Sequence, residues 1–384
     1  MADSIHLVAF DVPFPADYGG VVDVFWRIRA LHEQGVRIKL HCFEYGRGEQ
    51  KALLNYCSEV HYYQRSEGHK GLSLNLPYIV ASRNHPALWQ RLQEDDDPVL
   101  LEGMHSTYGL HAGMLPNRRV AVRMHNVEQE YYRQLAQWER SLVKKAYYHH
   151  ESRMLGRYEK TIAAQNLLLP ISDIDAGTCR RVWKAPQVQV LPAFVPHRLV
   201  TSQPGSGTFA LYHGNLSVAE NEKAATWLLE KIFNDLEIPF VVAGKDPAPR
   251  LVELAHRRQH TCIVENPSES EMNDLIAKAQ VHILPAFTTN GIKLKLMNAV
   301  FGGRHVVTNS NMLAGTHLEK VCHTADNAAL LKYTIFRLFH QPFTEEEAET
   351  RQGILMQHYD NAAHARQLMQ WLLAPPPTAG HPRS

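Results

Sequence analysis

Short apolar runs rich in Val, Ile and Leu alternate along the chain with longer stretches of helical apolar spacing. This is the pattern of strand–helix–strand units around parallel sheets. In the first half the runs predict strands at Ile5–Phe10, Val36–Cys42, Val60–Tyr63, Val99–Glu102, Arg119–Met124, Asn166–Pro170 and Val188–Leu191. The second half repeats the rhythm at Phe209–His213, Pro239–Ala243, Thr261–Val264, Val281–Leu284 and His305–Thr308. Helix starts are predicted at three capping boxes, Ser217/Glu220, Ser268/Glu271 and Thr344/Glu347, where each side chain satisfies the other residue's backbone donor.

Between the halves, Leu191-Pro-Ala-Phe-Val-Pro196 and Ser202-Gln-Pro-Gly-Ser-Gly207 lack apolar periodicity and are rich in turn formers. The expected fold class is therefore α/β, with two Rossmann-like doubly wound domains: residues 1–200 and 201–345. A helix over 346–373 comes next, expected to pack back across the cleft, and then a frayed tail at 374–384. The 384 residues suffice for two such cores. In open parallel sheets ligands bind beyond the carboxyl ends of the strands, so the cleft between the domains is the expected site.

Composition narrows the partners. Forty Lys and Arg against 39 Asp and Glu leave a net charge of +1, without the basic excess of a nucleic-acid binder. The five cysteines are scattered and form no Cys-x-x-Cys pair, which disfavours a disulfide framework or a structural zinc site. No run approaches the roughly 20 apolar residues of a membrane span, and the first residues lack the basic region of a signal peptide. A cytoplasmic location is expected, with contact to the inner face of a membrane left open. The 23 histidines are the unusual number.

No Gly-x-Gly-x-x-Gly comes after the first strand, and a Walker loop, a His-Glu-x-x-His helix and a Gly-x-Ser-x-Gly elbow are also missing. Strand one leads instead into a loop ending in Gly19-Gly20, where paired glycines allow positive φ and close approach of an anion or sugar to a helix N-terminus. In the second half, Pro285-Ala-Phe-Thr-Thr-Asn-Gly-Ile-Lys-Leu-Lys leads from a strand into a helix. Gly291, Lys293 and Lys295 there bring backbone donors and ammonium groups to a place suited to a diphosphate. Asn290 lies in that loop and Asn298 two turns down the helix.

With these motifs the chain resembles, over nearly its whole length, the retaining glycosyltransferases of the GT-B fold. Its halves look like a glycosyltransferase family 4-like N-terminal domain and a glycosyl transferases group 1 type C-terminal domain. The resemblance rests on Pro15-x-x-Tyr-Gly-Gly20, Arg123-Met-His-Asn-Val-Glu128, His213-Gly-Asn-Leu216 with Asn221, Ala243-Gly-Lys-Asp-Pro247, and Asn290-Gly-Ile-Lys-Leu-Lys through Gly303. It implies that Gly19 and Gly20 lie near the donor phosphates and that His125 contacts the transferred sugar. Asn126 and Glu128 flank His125 on the acceptor side, with His105 and Glu102 as weaker candidates. Donor binding would fall to Gly214, Asn215, Lys245, Val264, Glu265, Gly291 and Asn298, with Asn290, Lys293 and Lys295 at the chemistry. Many members carry glutamates where this chain has Asn290 and Asn298. They also carry Arg and Lys where it has Asn215 and either Glu220 or Asn221, so Lys293, Lys295 and Lys245 look like substitutes for that phosphate charge.

The resemblance implies retaining transfer from a nucleotide sugar to a glycan, polysaccharide or lipid-linked acceptor. Neither metal nor other cofactor is expected, because fixed cations and helix-terminal amides can stabilise a departing diphosphate. Asp95-Asp-Asp97 sits before a strand and Asp173-Ile-Asp175 reads as a helix cap, so neither is a metal motif. Trp138 to Lys160, helical by spacing, is a candidate acceptor or membrane surface through Lys144, Lys145, Tyr147, Tyr148, Arg153 and Arg157. Two other readings remain: a non-catalytic nucleotide-sugar-binding or partner subunit, and a nucleotide-sugar 2-epimerase.

Overall fold

The computed structural model describes residues 3–139, 141–289, 291 and 293–373. They form two compact units, one holding residues up to 196 and from 360 onward, the other most of 197–359.

In the first unit the strands are β1 (Ser4–Ala9), β2 (Arg37–Glu44), β3 (Glu59–Gln64), β4 (Val99–Glu102), β5 (Val120–Met124) and β6 (Leu167–Pro170). They pair in parallel in the order β3-β2-β1-β4-β5-β6. The strands β1 and β4 are buried along their whole length, as expected where helices cover both faces. The longer helices are α1 (Gly19–Glu33), α2 (Pro86–Leu92), α3 (Glu128–Trp138), α4 (Leu142–Ala163) and α5 (Asp173–Arg181).

The second unit has strands β7 (Ala210–Asn215), β8 (Phe240–Lys245), β9 (Thr261–Glu265), β10 (Val281–Leu284), β11 (His305–Thr308) and β12 (His323–Thr324). Their order is β12-β11-β10-β7-β8-β9, again all parallel. Each sheet reverses the direction in which strands are added once, at β1/β4 and at β7/β10, and the crevice at such a switch point is where doubly wound folds bind ligands. The longer helices here are α6 (Ala219–Trp227), α7 (Pro249–Ala255), α8 (Glu269–Lys278), α9 (Leu294–Gly302), α10 (Ala328–Phe339) and α11 (Glu345–His358).

A last helix, α12 (Asn361–Leu373), belongs to the first unit. Its Ala365, Leu368, Met369 and Leu372 join Ile28 and Leu31 of α1 in one core cluster.

Several expectations are corrected. The stretch Val188–Leu191 forms no regular strand; beside β6 it makes an isolated bridge from Val188 to Leu168, with the Gln189 and Leu191 amides donating to the Leu168 and Pro170 carbonyls. The helix expected over 346–373 is two helices; Asp360 separates them, its carboxylate accepting from the Ala362 and Ala363 amides at the start of α12. The helix expected over Trp138 to Lys160 is likewise two, with Ser141 capping α4. Capping boxes form at Ser268/Glu271 and Thr344/Glu347 but not at Ser217/Glu220. There the N-cap is Val218, Ser217 bonds Asn215, and the Glu220 carboxylate is used elsewhere. The tail at 374–384 lies outside the described residues.

Candidate active site

In the first unit the carboxyl ends of β4 and β5 bring Glu102 and His125 together. His125 Nε2 donates to Glu102 Oε2 at 3.1 Å, and His125 Nδ1 lies 3.6 Å from Asp23 Oδ2. Two arginines complete the group. Arg27, one turn after Asp23 on α1, reaches Asp23 at 2.8 Å and Glu102 at 2.5 Å. Arg123 on β5 grips both oxygens of Asp23 at 3.0 and 3.1 Å and donates to the carbonyls of Leu169 and Pro192. Asp23, Arg27, Glu102 and Arg123 are all 0 % exposed. Burial opposes charge on Asp23, but Arg123, Arg27 and His125 hold its carboxyl far below the usual range. Two carboxylates thus balance two guanidiniums, and the imidazole sits against both acids.

This cluster leaves orphans. Glu102 Oε1, His125 Nδ1 and His105 Nδ1 are buried polar atoms without a hydrogen-bond partner among the described residues, so each has capacity for a ligand or water. His105 comes two residues after Gly103, whose φ is +66°, and its ring lies 5.2 Å from that of Phe10. Burial, with Arg83 and His125 adding to it, holds this imidazole well below its ordinary pKa and keeps it neutral.

The glycine pair opens α1, with Tyr18 as N-cap. Positive φ is not the reason for it, because neither glycine adopts one. A Cβ on Gly20 would stand 2.7 Å from the Phe10 ring, so close approach is what excludes a side chain. The preceding loop is fixed by Tyr18, whose hydroxyl donates to Asp11 at 2.6 Å. Glu128 begins α3 and is buried; Glu159 from α4 accepts from the Glu128 and Gln129 amides at 2.6 and 3.1 Å. Burial pushes the Glu128 carboxyl up to about 7, and Asn126 hydrogen-bonds it.

In the second unit β7 ends in His213-Gly-Asn215, and α9 starts after the loop that leaves β10. Lys295, in the first turn of α9, donates to Asn221 Oδ1 at 2.8 Å and to the Tyr212 hydroxyl at 3.4 Å. Its hydrogen-bond partners are thus neutral, and burial lowers the ammonium to about 8 despite the attraction of Glu220. Lys293 is the N-cap residue of α9 and reaches the Thr288 carbonyl at 3.4 Å. The loop itself is pinned by Glu220, which accepts from the amides of Phe287 and Thr288 at 2.9 and 3.1 Å and from the Thr288 hydroxyl. Glu220 therefore holds backbone, and Asn221 holds the lysine; neither stands in for a phosphate-binding cation.

Gly214 and Gly244 face each other on β7 and β8, where a Cβ on Gly244 would stand 1.8 Å from the Gly214 carbonyl oxygen. Asn215 makes a turn with Ser217, and Lys245 lies exposed at the end of β8. Val264 and Glu265 close β9. Asn298 is paired: its Oδ1 is 2.9 Å from His197 Nε2, and the His197 ring stacks on Phe301 at 4.9 Å. Gly291 has φ +76°, which an L side chain rarely adopts. Asn290 lies outside the described residues.

Sequence reading missed Asp23, Arg27 and Arg123 as a unit. Asp23 and Arg27 are spaced i,i+4, the signature of a solvated helix pair. It also missed His197 and Tyr212, which carry no motif.

Two parallel six-stranded sheets with helices on each define the two Rossmann-like domains of the GT-B fold. Similarity to known proteins agrees. Residues 208–334, almost all of them in the second unit, match the family glycosyl transferases group 1. The "Uncharacterized 44.6 kDa protein in cps region" of Klebsiella pneumoniae is 24 % identical over 379 residues, covering 93 % of this chain and 96 % of its own. The crystal structure of TarM superposes with a TM-score of 0.70 at 8 % identity, over 97 % of this chain and 99 % of its own. HepE from Anabaena, solved with UDP and glucose, gives 0.64 at 14 % identity over 96 % and 99 %. The fold is the GT-B fold, and the matched segment of the second unit is similar to group 1 glycosyl transferases. Among the described residues no helix is long and apolar enough to cross a membrane.

Proposed function

We propose that the protein transfers a sugar, with retention, from a nucleotide-sugar donor to a carbohydrate or lipid-linked acceptor. The observation that carries this reading is Lys295: a partly buried ammonium held by two neutral oxygens at the switch point of a group 1 glycosyl transferase domain. A cation in such surroundings, without a carboxylate among its hydrogen-bond partners, favours an anionic ligand. A diphosphate there would meet Lys295, Lys293 and the amides of the first turn of α9. Charge that develops on the departing diphosphate would be stabilised by these fixed groups. We assign the leaving-group chemistry to them and to no metal.

In the first unit, the orphaned atoms Glu102 Oε1, His125 Nδ1 and His105 Nδ1 would be satisfied by sugar hydroxyls. Glu102 fixes His125 by accepting from Nε2, which leaves Nδ1 as the atom to meet the sugar. For the acceptor, the start of α4 exposes Leu142 and Val143 at 81 % each beside exposed Lys144, a surface suited to a lipid-linked substrate at a membrane face.

Thermal shift against UDP, GDP, ADP and dTDP and their sugars tests the donor half, because a ligand that binds the folded state raises Tm. One nucleotide series should stabilise the protein, and Lys295→Ala should abolish the shift. Stabilisation by none of them would overturn the reading. Once a product is made, its anomeric configuration by NMR tests retention.

A further inference from the structure

Among the described residues, three clusters bring His, Asp and Glu ligand atoms within 4.8 Å of one another. In two of them the acids already face cations. Asp95 and Asp97 are held by Lys39, with Arg118 also on Asp95, and Asp23 and Glu102 are held by Arg27 and Arg123. The third cluster differs. It comprises His305 at the start of β11, His323 at the start of β12 and Glu347 in the first turn of α11.

His305 is 1 % exposed. Its Nε2 lies 2.9 Å from the Gln341 carbonyl oxygen, which can only accept, so Nε2 carries the proton. The lone pair is then on Nδ1, and that atom is buried without a hydrogen-bond partner. It faces Glu347 Oε1 at 3.7 Å. The other carboxylate oxygen of Glu347 is committed to the capping box, accepting from the Thr344 amide and hydroxyl at 2.9 and 3.1 Å, which aims Oε1 at the histidine. The His323 ring completes the group, 6.0 Å from that of His305.

We propose that His305 Nδ1, His323 and Glu347 Oε1 bind a divalent transition-metal ion of the zinc class. The 3.7 Å separation matches, within a few tenths of an ångström, the roughly 3.4 Å edge of a tetrahedron with metal–ligand distances of about 2.1 Å. Two imidazoles and one carboxylate with a fourth position for water is a donor set that zinc accepts. The Gln341 carbonyl on the far nitrogen of His305 is the kind of second contact that fixes a ligating imidazole and raises its basicity. Burial also keeps both imidazoles neutral at physiological pH, His323 down to about 4, so no proton must be displaced. Arg337 and Arg351 are the cations that face His305 and oppose a metal. The Arg351 guanidinium is turned to Ser202 Oγ and to the carbonyls of Val300, Gly303 and Arg304.

The three ligands start strands β11 and β12 and helix α11. His305 lies at the amino end of β11, and His323 lies on the edge strand in register with Val307, so the ion's role is to tie the edge of the sheet to α11. This assignment is independent of the sugar chemistry. It gives a role to two of the 23 histidines that carry no motif in the sequence.

The test is Co2+ added to the metal-free full-length protein at about pH 7.5, where both imidazoles are neutral, monitored by visible absorption, with Zn2+ as competitor and Tm as a second readout. We expect a 1:1 complex with the intense d–d bands of four-coordinate Co2+, displacement by Zn2+, and a Tm raised by Zn2+. His323→Ala and Glu347→Gln should each raise the Kd for Co2+ at least about tenfold. Gln at position 347 keeps the capping box, so that variant retains its fold. Absence of four-coordinate bands, or bands with unchanged Kd in both variants, would overturn the assignment.

Discussion

His125, just past β5, donates through Nε2 to Glu102 Oε2 on β4, 3.1 Å away, beside the point where the first sheet reverses direction. A carboxylate that fixes one nitrogen of an imidazole sets its tautomer and leaves the other nitrogen for a ligand. We expect His125→Ala to lower donor turnover by about 100-fold or more while nucleotide affinity changes less than about threefold. Titration calorimetry alongside a turnover assay separates the two. An equal loss in both would place His125 in binding alone.

The same imidazole rests on a buried quartet of charges. Removing one member strands the others, and breaking a buried pair costs about 3–5 kcal/mol. Asp23→Asn, which strips Arg123 of its carboxylate and leaves Arg27 with Glu102 alone, should therefore lower unfolding free energy by about that amount in guanidinium titrations. A loss under about 1 kcal/mol would mean that water or rearrangement already compensates the arginines.

Lys295 gives the donor half a pH signature. Its ammonium is lowered to about 8 from 10.5, so in the unliganded protein it loses its proton as pH rises through 8. The folded state then binds fewer protons than the unfolded one between about 8 and 10.5, and stability attributable to this group rises across that window. In the role proposed for Lys295, nucleotide binding would move the other way, because a diphosphate would pair with the charged form. Affinity should fall above about pH 8 in the native protein, and the fall should be absent in Lys295→Ala, where affinity is lower throughout. A pH-independent affinity in the native protein would contradict this role.

Glu128 has the opposite sign. Burial raises its carboxyl from 4.5 to about 7, so the folded state binds more protons in that interval and stability falls as pH rises through it. The rise corresponds to a destabilisation of about 3 kcal/mol above about pH 7. Denaturation of Glu128→Gln at about pH 5 and pH 8, which span most of that interval, should show a stability difference smaller than that of the native protein by nearly this amount. An unchanged difference would show that Glu128 is not the titrating group.

Much of the fold is legible in the sequence because fully buried parallel strands read as short apolar runs, as Val99–Leu101 of β4 does before Glu102. The two-residue β12 is too short to leave such a signal, and Val188–Leu191 looks like a strand because its backbone does hydrogen-bond to β6, over too few residues to make a regular one. Legibility fails where a side chain has two available partners. Glu220 reads as a capping-box residue but binds the loop after β10, a contact set by tertiary packing. Gly20 is recognisable as special from its pairing with Gly19, yet its cause is the Phe10 ring, which lies on another element. The buried Asp23–Arg27 pair is hidden for the same reason: local spacing describes a helix surface, and only the sheet shows that this surface is inside.

The most direct test of sugar transfer is release of nucleoside diphosphate from the donor that thermal shift selects, measured with the full chain with and without an acceptor panel. The account predicts release that an acceptor accelerates and that falls by about 100-fold in both His125→Ala and Lys295→Ala. Binding of the donor without release, in the native protein and across the whole panel, would contradict it and identify a nucleotide-sugar-binding subunit instead.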